Sequence, residues 1–435
     1  MKADKSKIKV AIIGAGFGGV SAAKKLASNK NIEIFILDRR NHHLFQPLLY
    51  QVAMAGLNPS EIATPIRKVF SKNKNVQVTL TEVEKINVKQ SSVLYDGSWK
   101  IFDYIIVACG AKHSYFGNNE WENIAPGLKN IEQATEIRRR ILTAFELAEK
   151  QEDRDLQDSY LSFAVVGGGP TGVELAGAII EMAKMTLKHD YKRVDLSRTK
   201  VYLIEAGNRL LAGFPKDLSK RAEKDLLKMG VEVIKDSRAA KLSPDGLYAG
   251  DRWIAAKTII WAAGVSPSSL VNTMQCEKDS GGRILVEKDL SLPNHPNIFA
   301  VGDIVSFQAP SGDFLPGIAP VAIQQGGFAA EQIQADLKQR KRKSFQYLDK
   351  GIMATIGRTR AVVSTAGMHF TGLFAWLIWV FVHIVYLMRF KNRVFVFFQW
   401  VFAYFKFGQG ARLIVHKTWR FYGDKKIQYD IEDTK

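Results

Sequence analysis

Two stretches of this chain carry the same glycine pattern. VAIIGAGFGGVSAAKKL, from Val10, and AVVGGGPTGVELAGAI, from Ala164, each run from a short apolar strand through a glycine loop into a helix. In the first, Gly14, Gly16 and Gly19 hold the positions of Gly-x-Gly-x-x-Gly, with Phe17 and Gly18 between the last two. Each glycine has a separate physical task. The first turns the chain sharply out of the strand, the second lets the backbone approach a pyrophosphate, and the third lets helix and strand pack closely. Free N–H groups at the start of the helix then face the phosphates. A second strand, EIFILD, ends at Asp38, 24 residues past Gly14, where a carboxylate can accept both hydroxyls of a ribose. Arg39 follows it. The spacing predicts a dinucleotide site.

The second loop repeats the logic with Gly167, Gly169 and Gly172. Pro170 suits a helix first turn, where its missing N–H costs nothing, and Thr171 follows. The matching acid is Glu205, at the end of KVYLIE and 38 residues from Gly167 because a longer helix and loop intervene. A carboxylate there accepts from a free 2′-hydroxyl and repels a 2′-phosphate, which favours NADH over NADPH, although Arg209 lies close in sequence. Glu174, two residues past Gly172, admits two readings. It either complements the helix dipole or turns a carboxylate toward the reacting rings.

The totals narrow the field. A chain of 435 residues has room for two or three domains, and a net charge of +18 points to an anionic surface, either nucleic acid or phospholipid. Two cysteines, Cys109 and Cys276, exclude a disulfide scaffold and a cysteine-built metal cluster, so no metal is expected. The N-terminal apolar run stops at Gly14, short of a secretory signal, so the bulk of the chain is expected in the cytoplasm.

Two dinucleotide sites suit one held flavin dinucleotide and one exchanging nicotinamide dinucleotide, with a hydride passed between them. The chain resembles the flavoproteins with two dinucleotide-binding domains. YIIVACGAKHS (104–114, with Cys109 and Gly110) resembles the strand-loop that closes their first flavin segment. TIIWAAGVSP (258–267, with Ala263 and Gly264) resembles the matching closure of the nicotinamide domain. PNIFAVGDIVSF (296–307, with Gly302 and Asp303) resembles their second flavin motif, which implies that Asp303 binds the ribityl chain. The likeness implies an α/β fold of two Rossmann-like domains, the NADH domain inserted in the FAD domain. The expected segments are 1–115 and 271–335 for FAD, 116–160 as a helical connection, 161–270 for NADH, and 336–435 as a C-terminal membrane-anchoring region.

Members that work through thiols carry a cysteine pair beside the flavin; here that region reads HHLFQPLLYQVAMAGL. Cys109, at a strand end among small residues, reads as packing. FQPLLYQVAMAGL and LPGIAPVAIQQGGFAAEQI closely resemble the type II NADH dehydrogenases, single-subunit NADH:quinone oxidoreductases that pump no ions and are often homodimers. That likeness implies non-covalent FAD beside Ala322, and quinone against Pro320, Ile323, Gln324 and Gln325. Glu174 and Gln324 become the catalytic candidates. The family pattern Ala-Gln-x-Ala-x-Gln has Pro320 in place of its first glutamine, and a proline has no side-chain donor.

The tail changes composition. FTGLFAWLIWVFVHIVYLM (370–388) holds one ionisable residue, His383, and VFVFFQWVFAYFKF follows a basic turn. A buried helix pair, a transmembrane span and a surface anchor all fit the length, since 19 residues of helix reach ~28 Å. Charge favours the anchor. A single crossing would carry Arg389, Lys391, Arg393, Lys406, Arg412, Lys417 and Arg420 away from the cytoplasm. Arg393, Gln399 and Lys406 recur at near two helical turns, which predicts a polar stripe opposite the aromatics. The basic run KQRKRK (338–343) also suits anionic lipid. Rival readings are a reductase of a soluble electron carrier and an NADH-sensing protein that binds nucleic acid. The first leaves the tail unexplained, and no nucleic-acid motif supports the second.

Overall fold

The computed structural model describes residues 7–188, 190–310, 312–406 and 411–415. Strand β1 (Ile8–Ile13) enters helix α1 (Phe17–Leu26) through the first glycine loop and is followed by β2 (Ile32–Asp38). After the short helix α2 (Leu49–Ala53) come β3 (Val76–Leu80) and β4 (Tyr104–Val107). β1 lies between β2 and β4, parallel to both, with Val10 opposite Ile34 and Tyr104. Val10, Ala11 and Ile12 are fully buried, the signature of a parallel strand covered on both faces.

Helix α3 (Ile131–Lys150) then leads to a second parallel sheet. Its β5 (Ser162–Val166) enters α4 (Pro170–Glu181) through the second glycine loop. β6 (Lys200–Ile204), β7 (Val231–Ile234) and β8 (Thr258–Trp261) complete it in the order β7-β6-β5-β8. Only afterwards does β9 (His295–Ala300) return to the first sheet and pair with β4, while Ser291–Leu292 adds an antiparallel edge. The second sheet is therefore inserted in the sequence of the first. Helix α5 (Ala319–Leu337) lies on α1 so closely that a Cβ on Gly326 would stand 2.1 Å from the Gly18 carbonyl oxygen.

The C-terminal region begins as part of this body, where the sequence suggested only an anchor. β10 (Ile352–Gly357), β11 (Arg360–Thr365) and β12 (Met368–Thr371) form an antiparallel sheet, with Ala354 opposite Val362. β-branched residues favour the pairing, and each of the first two strands buries three consecutive residues, Ala354 to Ile356 and Ala361 to Val363. The sheet rests on α4 at Gly177, where an added Cβ would lie 1.7 Å from the Ile356 carbonyl oxygen. In KQRKRK, Arg342 is bound to Asp289 and Asp336 rather than offered to a lipid surface.

Two helices follow, α6 (Gly372–Tyr386) and α7 (Phe390–Lys406). No helix among the described residues is long and apolar enough to cross a membrane. α6 buries Ala375, Trp379 and His383, one residue per turn, against the body. Burying Trp379 alone contributes on the order of 5 kcal/mol to that docking. Its opposite face leaves Phe374 59% and Phe381 69% exposed, and α7 leaves Phe390 80% and Phe398 64% exposed.

Of the polar stripe expected on α7, Gln399 faces the body, whereas Arg393 is exposed and folds back onto the connection from α6. Gln399 donates to the Gly56 carbonyl at 3.0 Å, and Arg393 donates to the Leu387 carbonyl at 2.8 Å. Asn392 donates to Glu61 O at 2.9 Å. Backbone carbonyls of the body thus take Asn392 and Gln399, while Phe390, Phe395 and Phe398 stay outward. The side chain of Lys406, together with Lys417 and Arg420, lies outside the described residues.

Candidate functional site

A cavity of about 1840 Å³ runs along both glycine loops. The loops are built alike. Gly14 adopts φ +97°, and a Cβ there would meet the Ala108 carbonyl oxygen at 2.5 Å. Gly167 adopts φ +111°, and its Cβ would meet Ala262 at 2.7 Å. Gly19 and Gly172 let their helices press onto the preceding turns, where an added Cβ would stand 1.9 Å and 1.8 Å from the Gly14 and Gly167 oxygens. Gly16 and Gly169 instead have nothing within 4 Å of an added Cβ, line the cavity and cap their helices. Pro170 stands in the first turn of α4. Each loop thus offers an open cradle of N–H groups that a pyrophosphate can fill.

The acids at the second strand ends do more than the sequence suggested. Asp38 accepts from the Ala15 N–H at 2.6 Å and the Arg40 N–H at 2.7 Å. Glu205 accepts from the Gly168 N–H at 2.6 Å and the Gly207 N–H at 2.7 Å. Each carboxylate ties its loop to the neighbouring strand and keeps lone pairs free for ribose hydroxyls. Arg209 donates to the Phe214 carbonyl at 2.9 Å and to Ala212 O, so its guanidinium is committed to backbone rather than free for a 2′-phosphate.

Most sequence-predicted residues meet in this cavity. Phe17, Gly18, Arg39, Cys109, Gly110, Gly302, Asp303 and Ala322 line it beside the first loop, and Thr171, Glu174 and Gly264 line it beside the second. Gly19, Gly167, Gly172 and Ala263 do not, because they shape the turns behind it. Lys129 stands 3.8 Å from Asp303. Burial pushes the Cys109 thiol up to about 11, so it stays a thiol, in keeping with packing rather than redox chemistry.

Pro320 and Ile323 also line the cavity, but neither glutamine does. Gln324 closes on the backbone of Leu348, donating to its carbonyl and accepting from its N–H, both at 2.9 Å. Gln325 is buried and accepts from the Gly302 N–H at 2.7 Å. Neither amide lines the cavity, and the quinone contact expected of them is left to the Gln324→Ala variant. Gln324 ties its helix to the backbone of Leu348, and Gln325 ties it to the Gly302 loop.

Glu174 sits in the second turn of α4, past the reach of the helix-dipole argument, and faces the cavity. Desolvation pushes its carboxyl up to about 8, against a lowering hydrogen bond from the Thr355 backbone on β10. It is a neutral acid at pH 7. The structure adds residues the sequence reading passed over: Phe45, Leu49 and Tyr50 from the segment around α2, Lys350 before β10, and His383 and Tyr386 from α6. His383 gives its Nδ1 to the Trp379 carbonyl at 2.7 Å, and burial holds it near 4, so it is neutral. Tyr50 and Phe45 fall inside FQPLLYQVAMAGL, so the motif itself was the available signal.

The profile of the pyridine nucleotide-disulphide oxidoreductase family matches residues 8–326. The type II NADH:quinone oxidoreductase Ndh of Mycobacterium tuberculosis is 40% identical over 422 residues, covering 93% of this chain and 90% of its own. The type II NADH:quinone oxidoreductase of Staphylococcus aureus is 29% identical, covering 84% and 91%. Among solved structures, NDH2 from Plasmodium falciparum in complex with NADH superposes with a TM-score of 0.85 at 19% identity, covering 94% of this chain and all of that one. With two nucleotide cradles on one cavity and this extent of identity, the chain belongs to the type II NADH:quinone oxidoreductases, within the pyridine nucleotide-disulphide oxidoreductase family.

Proposed function

We propose that this chain oxidises NADH with a membrane quinone as acceptor, through bound FAD and without moving ions across the membrane. One observation carries the reading. A single cavity is walled by both glycine loops and also by α6, the helix whose outer face is apolar and exposed. Bound FAD supplies a two-electron relay between NADH, which stays in water, and a quinone, which stays in lipid. Gly14, Gly16, Phe17, Gly18, Asp38 and Arg39 hold its adenosine and pyrophosphate half, while Cys109, Gly110, Gly302, Asp303 and Ala322 line the rest of its path. Gly167, Gly169, Pro170, Thr171, Gly172, Glu205, Ala263 and Gly264 form the NADH cradle, and Glu205 selects the free 2′-hydroxyl. Pro320 and Ile323 offer quinone an apolar wall. Glu174 holds a proton in the same cavity at neutral pH, and quinone reduction consumes protons.

The outward aromatics of α6 and α7 rest on an anionic phospholipid surface at the cytoplasmic side, where NADH is available. The chain then lies on the bilayer rather than across it. Purified protein should be yellow, release FAD on denaturation and oxidise NADH in a quinone-dependent way. Colourless protein, or turnover indifferent to quinone, refutes the reading. Sedimentation with anionic vesicles, reduced in a Phe398→Asp/Phe402→Asp variant, tests the lipid contact separately.

A further inference from the structure

Tyr50 is 7% exposed, and what it exposes lines the cavity. Its phenol oxygen accepts a hydrogen bond from Gln51 Nε2 at 3.0 Å. Gln51 Oε1 in turn accepts from the indole Nε1 of Trp400 at 2.8 Å, on the outermost helix α7. An indole N–H can only donate. Trp400 therefore fixes which end of the Gln51 amide points at it, and the amide presents its NH2 to the phenol. With Gln51 donating to its oxygen, Tyr50 has its own O–H left to donate. Among the described residues no acceptor takes it, and no hydrogen bond joins it to Glu174. The ring is held in place by Trp379, whose centroid stands 6.4 Å away at 61°.

We propose that Tyr50 donates a hydrogen bond to a carbonyl oxygen of the quinone, and that Gln51 and Trp400 act as positioning residues that keep its O–H turned into the cavity. This rests on the quinone reading above. The neighbouring groups fit the assignment. His383 has committed its Nδ1 to Trp379, so its other nitrogen is an acceptor and cannot serve a carbonyl oxygen. Lys350, at the exposed rim, already donates to Tyr386 at 3.0 Å. Phe45, Leu49 and Val382 supply apolar walls for a ring. Burial, joined by the Glu174 carboxylate once that acid ionises above about 8, raises the Tyr50 phenol well above its ordinary value, so the proton stays on the oxygen. A helix that meets the lipid thereby sets the hydrogen-bonding state of a side chain in the cavity.

Two variants test this in the flavin-loaded full chain. Tyr50→Phe removes the donor. Gln51→Glu keeps the phenol but replaces the donating NH2 with an acceptor, which draws the phenol proton away from the cavity. Binding of a short-chain quinone, measured by isothermal titration calorimetry, should weaken about fivefold in both, the worth of one neutral hydrogen bond. NADH-driven bleaching of the flavin, which makes no demand on the phenol, should stay within twofold of wild type. Trp400→Phe, which frees the Gln51 amide to turn, should fall between wild type and Gln51→Glu. Quinone binding within twofold of wild type in Tyr50→Phe, or in Gln51→Glu, overturns the inference. A wild-type protein that neither binds nor reduces quinone overturns the functional reading instead.

Discussion

Replacing Glu174 with glutamine removes a proton site while keeping shape and neutrality. In the folded chain the carboxyl is held up at about 8, above the ordinary 4.5 it regains on unfolding. A raised acid binds its proton more tightly when folded, so its contribution is fully present below pH 4.5 and is lost as pH rises to about 8. The span of ~3.5 units at ~1.36 kcal/mol each gives an upper bound of about 5 kcal/mol. At ~2.1 cal/mol/K per residue, the unfolding entropy of a chain this size is ~0.9 kcal/mol/K, so the bound corresponds to about 5 °C.

The assay is differential scanning fluorimetry of wild type and Glu174→Gln between pH 4.5 and 8.5. Other ionisable groups cancel in the difference, so the wild-type Tm should decline relative to the variant across that window and level off above it. Quinone turnover reports the same group. Wild-type activity should fall above pH 8 as the acid is lost, and the glutamine variant should lack that limb and run about 100-fold slower. Parallel Tm curves and identical pH profiles would refute the neutral acid.

Three further outcomes are expected. Gln324→Ala should lower Tm by only 1–2 °C, from about 1–2 kcal/mol of lost bonds to Leu348. Its KM for quinone should move less than about threefold, and a tenfold rise would restore direct contact. Gly177→Ala forces a Cβ onto the Ile356 oxygen, so α4 and β10 must part, and Tm should fall by about 3 °C or more, read by the same fluorimetry. An unchanged Tm refutes the contact. Glu205→Ala leaves the Gly168 and Gly207 N–H groups without their acceptor and should raise the KM for NADH about tenfold, with NADPH less affected and flavin content unchanged. Equal losses for both nucleotides would refute its role in selecting the 2′-hydroxyl.

The nucleotide cradles were legible in the sequence because backbone sterics make them, and backbone sterics act locally. A Cβ at Gly14 or Gly172 is excluded by atoms that any such strand-turn-helix brings near, whatever the rest of the chain does. Insertion of the second sheet was legible for a related reason, since the closing motifs recur in order along the chain. The partner of Gln324 was not legible, because a pattern names a residue type and not the contact it finds. Leu348, 24 residues on, claimed the amide. The C-terminal sheet was hidden by its neighbour, whose aromatic density drew the whole tail into one reading.

The acceptor side of the cavity was illegible for a deeper reason. Its polar contacts are assembled from residues that only tertiary packing brings together, in two sets: Tyr50 and Gln51 from the segment around α2 with Trp400 from α7, and Glu174 from α4 with Thr355 from β10. The raised pKa of Glu174 is set by burial among them, a property no single stretch possesses. The same dispersal ties the site to α6 and α7, the helices with exposed aromatic faces. α6 contributes the cavity wall, α7 fixes Gln51, and β10 holds the carboxyl from the other side. A chain that keeps both glycine loops but loses the register of α7 would then still take up NADH, while its grip on the quinone slackens. Under the proposed docking of α6 and α7 on lipid, coupling between that contact and acceptor chemistry follows from where these side chains are anchored, and the nucleotide cradles need take no part in it.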